Sequence, residues 1–286
     1  MENLRDRVVV VTGAGSGIGR ALALAYAGEG SKVVLADVEE GALDESRALV
    51  EAAGVEALAV RTDVSDSDSV EALAQATVER FGAVNVVCNN AGVGGGGLIK
   101  DQQLVDWRWV MDVNLWGVIH GVHHFLPLLR QADEAHIMAT ASVAGLTAVP
   151  GLGPYNASKF AVVAIMETLF HEMERDHDAN VGVSVLCPGV VRTNITSAQR
   201  NRPEHLRRQR REGPRTDARR RNDNVAAAVA AGMDPAQVAA AVVDAARERR
   251  FWVLSHPEHL DEIRHRNEHL HQRSNPTLVT DFTDGE

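Results

Sequence analysis

Cysteine is nearly absent: the 286 residues hold two, Cys88 and Cys187, far apart and with no C-x-x-C pair. That excludes a disulfide framework and points to two buried, reduced thiols in a cytoplasmic protein. Long hydrophobic runs are missing as well, since no segment approaches the ~20 apolar residues that a membrane-spanning helix needs. The opening segment, MENLRDRVVVVTG, has a run of four Val before Thr12, too short for the apolar region of a secretory signal. Without such a signal, the N-x-S/T strings at Asn156 and Asn194 carry no weight as glycosylation sites. Positive charge is in deficit: 29 Lys and Arg against 39 Asp and Glu leave a net charge of -10, which makes nucleic acid a poor partner. There is no internal repeat.

What is present has the balance of a globular protein with ample core, 45% hydrophobic and 24% charged. Short Val-rich runs at 7–11, 32–36, 56–62, 84–88, 135–142 and 181–187 read as strands. Their nearly unbroken apolar character suits strands buried on both faces of a parallel sheet. Helix-like stretches lie between them, at about 17–28, 40–53, 67–80, 102–131 and 155–177. This alternation predicts βαβ units with right-handed crossovers. The expected fold is a single α/β domain: a doubly wound parallel sheet with helices on both faces and a ligand crevice at the carboxyl ends of the strands. The pattern breaks after Thr193. Residues 194–224 are poor in apolar side chains and hold ten Arg between Arg200 and Arg221. A helix near 234–248 and a strand at 250–255 follow, so the main domain is taken as 1–255 and residues 256–286 as a helical C-terminal extension with a tail.

The first turn, TGAGSGIG, places Gly13, Gly15, Gly17 and Gly19 between a buried strand and a helix. The spacing is T-G-x-x-x-G-x-G rather than G-x-G-x-x-G. The physical need is shared: backbone amides at a helix N-terminus must approach a pyrophosphate, and a Cβ would obstruct them. Asp37 ends the second strand 18 residues after Gly19. A carboxylate there can accept both adenosine ribose hydroxyls and repels a 2′-phosphate. With Val38 and Ser16 uncharged beside it, the reading is NAD rather than NADP. Capping of the helix near Glu40 is a compatible second use of Asp37. Asp63 can take the adenine amino group or cap the next helix, and Asn89 and Asn90 can serve the sheet backbone as well as the cofactor.

The stretch GPYNASK places Tyr155 and Lys159 four residues apart, on one face of a helix that starts after Pro154. A free Tyr, with a pKa of ~10, is a poor base at neutral pH. A nearby ammonium favours the phenolate, and a phenol tuned in this way can take a proton from an alcohol or give one to a ketone. A single Tyr-x-x-x-Lys pair is usually surface decoration, so its context decides. Ser142 stands 13 residues upstream, at the end of the fifth strand, where its hydroxyl can hold a substrate oxygen. Asn114 sits among Val, Leu and Trp and needs a partner if it is buried.

Taken in order, TGAGSGIG, Asp37, Asp63, NNAG (89–92), Asn114, Ser142, YNASK (155–159) and PGVVRT (188–193) resemble the short-chain dehydrogenase/reductase family, in its branch of about 250 residues. The resemblance implies a Rossmann-type fold and, as catalytic set, Asn114, Ser142, Tyr155 and Lys159. Tyr155 is then the acid–base and Ser142 steadies the substrate oxygen. Lys159 lowers the Tyr155 pKa and binds the nicotinamide ribose, and Asn114 holds a water that links Lys159 to solvent. It also implies that Thr12, Gly13, Gly15, Ser16, Gly17 and Gly19 hold the cofactor phosphates and the turn itself. Ile18 packs at the nicotinamide end, Asn90 and Gly92 lie near the riboses, and Pro188, Gly189 and Thr193 flank the nicotinamide. Asp37, Asp63, Val64, Ala91 and Val191 complete the expected cofactor contacts.

The expected activity is hydride transfer between NAD(H) and a secondary alcohol or ketone. Val93, Val143, Ala144, Val149, Leu152, Val190 and Val191 suggest an apolar substrate, although core packing would use the same residues. The Arg-rich segment falls where the family places its substrate lid. It reads first as a solvated insertion, then as an attractor of an anionic substrate or carrier, and last as a nucleic-acid contact, which the acidic whole opposes. His120/His124 and His265/His269 share helix faces, with no third ligand for a metal. The first pair reads as packing or interface residues and the second as solvated. The family implies a homo-oligomer, tetramer or dimer, with no membrane partner. Two other functions share the signals: a non-catalytic NAD-binding sensor or scaffold, and a sugar-nucleotide epimerase or dehydratase. The intact Asn–Ser–Tyr–Lys set opposes the first, and the turn spacing and NNAG segment oppose the second.

Overall fold

A computed structural model describes residues 1, 3–176, 180–208 and 216–277. Seven strands form one all-parallel sheet in the order β3-β2-β1-β4-β5-β6-β7. They are β1 (Val8–Thr12), β2 (Lys32–Asp37), β3 (Ala57–Arg61), β4 (Val86–Asn89), β5 (Ala135–Thr140), β6 (Val181–Leu186) and the two-residue β7 (Trp252–Val253). The Val runs are buried because each strand feeds two cores. Val8 and Val10 pack into one with Leu73, Phe125 and Met166. Val9 and Val11 face the other with Leu22, Tyr26 and Val242. This period of two, apolar on both sides, explains why no polar–apolar alternation marks the strands.

The helices divide accordingly. α1 (Gly17–Gly28), α2 (Glu40–Ala52) and α8 (Pro235–Glu248) supply one layer; α3 (Ser67–Phe81), α5 (Gly117–Leu129) and α6 (Gly153–Arg175) supply the other. The predicted start of α3 is present, with Asp66 as N-cap accepting from the Asp68 amide. The predicted long helix at 102–131 is composite. A 3-10 turn (Ile99–Asp101) precedes α4 (Leu104–Met111), and a π-helical turn (Asp112–Trp116) joins α4 to α5. Pro154 lies in the first turn of α6, where its missing N–H costs nothing. Position 177 of the helix expected at 155–177 lies outside the described residues.

The Arg-rich segment is more structured than a solvated insertion. It contains 3-10 turns at Ile195–Asn201 and Glu204–Leu206 and then α7 (Thr216–Ala231); Ala198, Arg202 and Leu206 are buried. Positions 209–215 lie outside the described residues. In the C-terminal extension, α9 (Leu260–Gln272) buries none of its own residues. The chain crosses the sheet between β3 and β4, passing over β2 and β1, so a crevice opens between the carboxyl ends of β1 and β4. Among the described residues, no helix is long and apolar enough to cross a membrane.

Candidate active site

A cleft of about 920 Å³ follows that crevice. At one end lies the first turn. Gly17 has φ of +55°, and a Cβ on Gly19 would stand 2.0 Å from the Gly13 carbonyl, so the α1 N-terminus closes on the turn only without side chains there. Gly13, Ser16, Gly17, Ile18 and Gly19 line the cleft, followed by Asp37, Asp63, Val64, Asn90, Ala91 and Gly92. Asp37 Oδ2 accepts from the Gly15 amide at 2.9 Å and Oδ1 from the Glu39 amide at 3.1 Å. Asp63 Oδ1 accepts from the Ser65 amide and hydroxyl.

Two expected cofactor residues are used differently. Thr12 does not line the cleft; its buried hydroxyl donates to the Cys88 carbonyl and accepts from the Asn90 and Ala91 amides at 2.9 and 3.0 Å. It fastens β1 to β4, because the chain leaving β4 has no ladder partner beyond that point. Gly15 is likewise turned away, with its amide given to Asp37.

At the other end, β5 delivers Ser142, α6 delivers Tyr155 and Lys159, and the turn after β6 delivers Pro188 and Gly189; all five line the cleft, as do Val191 and Thr193. Lys159 is 3% exposed, donates from Nζ to the Thr140 carbonyl at 2.7 Å, and lies 5.6 Å from the centre of the Tyr155 ring. Burial brings its ammonium down to about 8. Burial raises the Tyr155 phenol, and the hydrogen bond with Ser142 pulls it back. The expected lowering by Lys159 is therefore not found: burial dominates at Tyr155, and the ammonium is itself desolvated.

Asn114 is fully buried on the π turn and does not line the cleft. Its Oδ1 accepts from the Val93 amide at 2.8 Å, and its Nδ2 donates to the Val93 carbonyl at 3.0 Å and to Ser158 Oγ at 3.3 Å. It braces the loop after β4. A Cβ on the intervening Gly92 would lie 3.4 Å from Asn114 Oδ1 and 3.6 Å from Lys159 Nζ, so the two side chains flank that glycine.

This set of strand-end side chains matches a known plan, and residues 7–204 match the family model described as short chain dehydrogenase. The chain belongs to the short-chain dehydrogenase family. A crystal structure of a short-chain dehydrogenase/reductase from Burkholderia phymatum in complex with NAD is 45% identical, with a TM-score of 0.94 over 98% of this chain and 100% of that one. A CLA biosynthesis dehydrogenase/reductase of Lactiplantibacillus plantarum is 31% identical over 261 residues, 91% of each chain. A 1-deoxy-11-beta-hydroxypentalenate dehydrogenase of Streptomyces arenae is 42% identical over 193 residues, 66% of this chain and 68% of that protein.

In this short-chain dehydrogenase the cleft is also lined by the seven small and apolar residues singled out above, Val93, Val143, Ala144, Val149, Leu152, Val190 and Val191. It also holds residues that the sequence did not advertise. The segment after β6 folds over the cleft, and Arg200 and Asn201 hydrogen-bond Glu39, which lies just beyond β2. The Arg200 hydrogen bond holds the Glu39 carboxyl below the usual carboxylate range. His205 and Arg208 line the mouth. From the C-terminal extension, the buried His256 grips the turn after β6: the Gly189 amide donates to Nδ1 at 3.1 Å, so Nε2 carries the proton and donates to the Val190 carbonyl at 3.1 Å. His259 lines the cleft beside it. A histidine outside the motif region gives no periodic signal, so only the fold reveals this grip.

The remaining histidine pairs do structural work. His120 Nδ1 is 2.9 Å from the Val64 carbonyl and His124 Nε2 is 2.9 Å from Ser67 Oγ, tying α5 to the α3 entry. On α9, His265 is exposed and His269 half-buried, with their Nε2 atoms 3.1 Å apart. Among the described residues, no group of three or more His, Cys, Asp or Glu is placed to hold a metal.

Proposed function

We propose that this chain is an NAD-dependent alcohol dehydrogenase or carbonyl reductase acting on secondary alcohols and ketones. The observation that carries the reading is one continuous cleft with Asp37 at one end and Ser142, Tyr155 and Lys159 at the other. The cleft fits a dinucleotide. The Gly19 position has no space for a Cβ against the Gly13 carbonyl, and each Asp37 oxygen has spent one hydrogen bond on backbone and keeps further acceptor capacity for ribose hydroxyls. The cations beside this end are already paired: Arg20 is engaged by the Gly15 carbonyl, Ser46 Oγ and Glu45, and Arg200 by Glu39, so neither guanidinium is left unpaired for a 2′-phosphate. The NAD complex of the Burkholderia relative supports the same choice.

On this reading Gly13, Ser16, Gly17, Ile18 and Gly19 hold the pyrophosphate side, Asp37, Asp63 and Val64 the adenosine, and Asn90, Ala91 and Gly92 the riboses. Lys159, Pro188, Gly189, Val191 and Thr193 hold the nicotinamide end. When bound, the cofactor supplies the hydride carrier and, oxidised, a positive charge. Tyr155 Oη takes the alcohol proton or returns it to a ketone, Ser142 Oγ orients the substrate oxygen, and Lys159 Nζ supports the phenolate while anchored on the Thr140 carbonyl. The apolar walls exclude water from the reacting carbon. The protein is further taken as a homo-oligomer: Trp116 and Leu104, 50% and 87% exposed, lie on the α4–α5 helix, where the family resemblance places subunit contacts.

The test is turnover of a panel of secondary alcohols with NAD⁺ and NADP⁺, for the wild type and Asp37→Ala. Wild-type turnover is expected with NAD⁺. The variant is expected to lose about 10–100-fold in NAD⁺ affinity, as for hydrogen bonds to a charged group, and to discriminate less against NADP⁺. A wild-type preference for NADP⁺ contradicts the cofactor assignment, and no turnover of any alcohol or ketone contradicts the activity.

A further inference from the structure

The mouth of the cleft carries one cation more than its internal pairing requires. Asp106, on α4, is 4% exposed, and two arginines from the segment over the cleft converge on its Oδ1. Arg202 Nη1 stands at 2.7 Å; its side chain is 4% exposed, lies 5.0 Å from the Trp109 ring centre, and gives Nε to the Leu206 carbonyl. Arg208 Nε stands at 2.6 Å from the same oxygen, with Nη2 3.1 Å from Gln102 Oε1 and 3.5 Å from the Gly96 carbonyl. Asp106 Oδ2 is taken by the Gln103 amide. Burial opposes ionisation of Asp106, but Arg208, Gln103 and Arg202 together hold it ionised.

One carboxylate thus faces two guanidiniums. Arg202 is the buried partner and accounts for the charge of Asp106. Arg208 is the surplus cation. It is the one of the two that lines the cleft, and its side chain is 45% exposed. The acids nearest this mouth do not balance it. Asp101 lies 3.6 Å from Lys100, and Asp112, whose carboxyl burial raises, lines the cleft without an ion pair to Arg208. The cleft that Arg208 and Tyr155 both line has apolar groups in its walls, among them Val93, Val149, Leu152 and Ile195.

We propose that Arg208 recognises an anionic group on the substrate, which is a mostly apolar secondary alcohol or ketone bearing a carboxylate at the end remote from the reacting carbon. This rests on the dehydrogenase reading above and adds the substrate class. A planar guanidinium already fixed through Nε and Nη2 is pre-organised to meet a carboxylate, so little entropy is lost on binding.

The probes are (ω−1)-hydroxy fatty acids from hydroxyhexanoate to hydroxydodecanoate, each paired with its methyl ester, oxidised with NAD⁺. The wild type is expected to favour the acid over its ester in kcat/KM by about tenfold or more at the best-fitting length, as for a charge-assisted hydrogen bond. Arg208→Gln should remove that ratio, mainly through KM, and Arg208→Lys should restore part of it. If Arg208 only fastened the segment to α4, Arg208→Gln would lower acid and ester alike and leave the ratio unchanged, which would overturn the proposal. So would a wild-type ratio of one or less at every length. Calorimetric titration of the same pairs into the NADH-loaded protein reads the site without turnover. Tighter binding of the acid, lost in Arg208→Gln, upholds Arg208 even if the oxidoreductase reading fails. Equal binding of acid and ester sinks it.

Discussion

A charged lysine with almost no access to water is the most expensive group in the proposed catalytic set, and its cost is measurable. Burial brings Lys159 from the ordinary 10.5 to about 8. Its folded value therefore lies below its unfolded one, and between those values the unfolded chain binds the extra proton. By linkage, the wild type gains stability as pH rises from about 8 to about 10.5, and that gain is lost as pH falls back through 8. Lys159→Met has no such proton to release. Melting temperatures of the two proteins across this range should therefore shift in favour of the wild type at alkaline pH; parallel curves would show that Lys159 is not desolvated as described. The same burial raises the Tyr155 phenol, so the protein alone does not hold a ready phenolate. The residue pattern foretold that the two side chains lie close together but not the electrostatic balance between them, since a Tyr-x-x-x-Lys spacing reports proximity and says nothing of desolvation.

Among the elements, the π turn at Asp112–Trp116 has the largest functional consequence. An extra residue in the helical ladder turns a polar side chain inward in an otherwise apolar helix, and such bulges recur at functional sites. Asn114 uses that position to satisfy both polar groups of Val93. Asn114→Ala would strand a buried amide and carbonyl, so a loss of about 2–4 kcal/mol in stability is expected together with a fall in kcat. Thermal melting checks this. Unchanged melting with lowered kcat would favour a role limited to holding water for Lys159. The sequence made Asn114 conspicuous as a polar residue among apolar ones, but the π turn had no signature of its own. Strands and capped helices were far more legible. The Val runs of β1, β2 and β6 fill two cores at once, and the helix expected at 67–80 begins at Ser67, capped by Asp66 rather than Asp63.

For the molecule as a whole, parallel alternation foretold the sheet and its crevice, because burying both faces of a strand leaves few alternatives to a helix on each side. The Arg-rich segment was the least legible part. Its composition suggests a solvated surface, but Arg202 is buried by sharing Asp106 with Arg208 and lying against Trp109, contacts between residues about a hundred positions apart. The C-terminal extension was similarly opaque, and its His256 reaches back to the turn after β6. Long-range pairing of this kind leaves no periodic trace, so charge runs were read as solvent-facing when part of the charge closes the site.

The central claim is that the Tyr155 hydroxyl moves the proton at the nicotinamide end of this cleft. The most direct measurement is the kcat of Tyr155→Phe for NAD⁺-dependent oxidation of the best alcohol, with NADH affinity determined on the same preparation. A fall of about 10²–10⁴-fold in kcat is expected, the range for loss of a general acid–base, with NADH binding retained. A variant that turns over at the wild-type rate would contradict it.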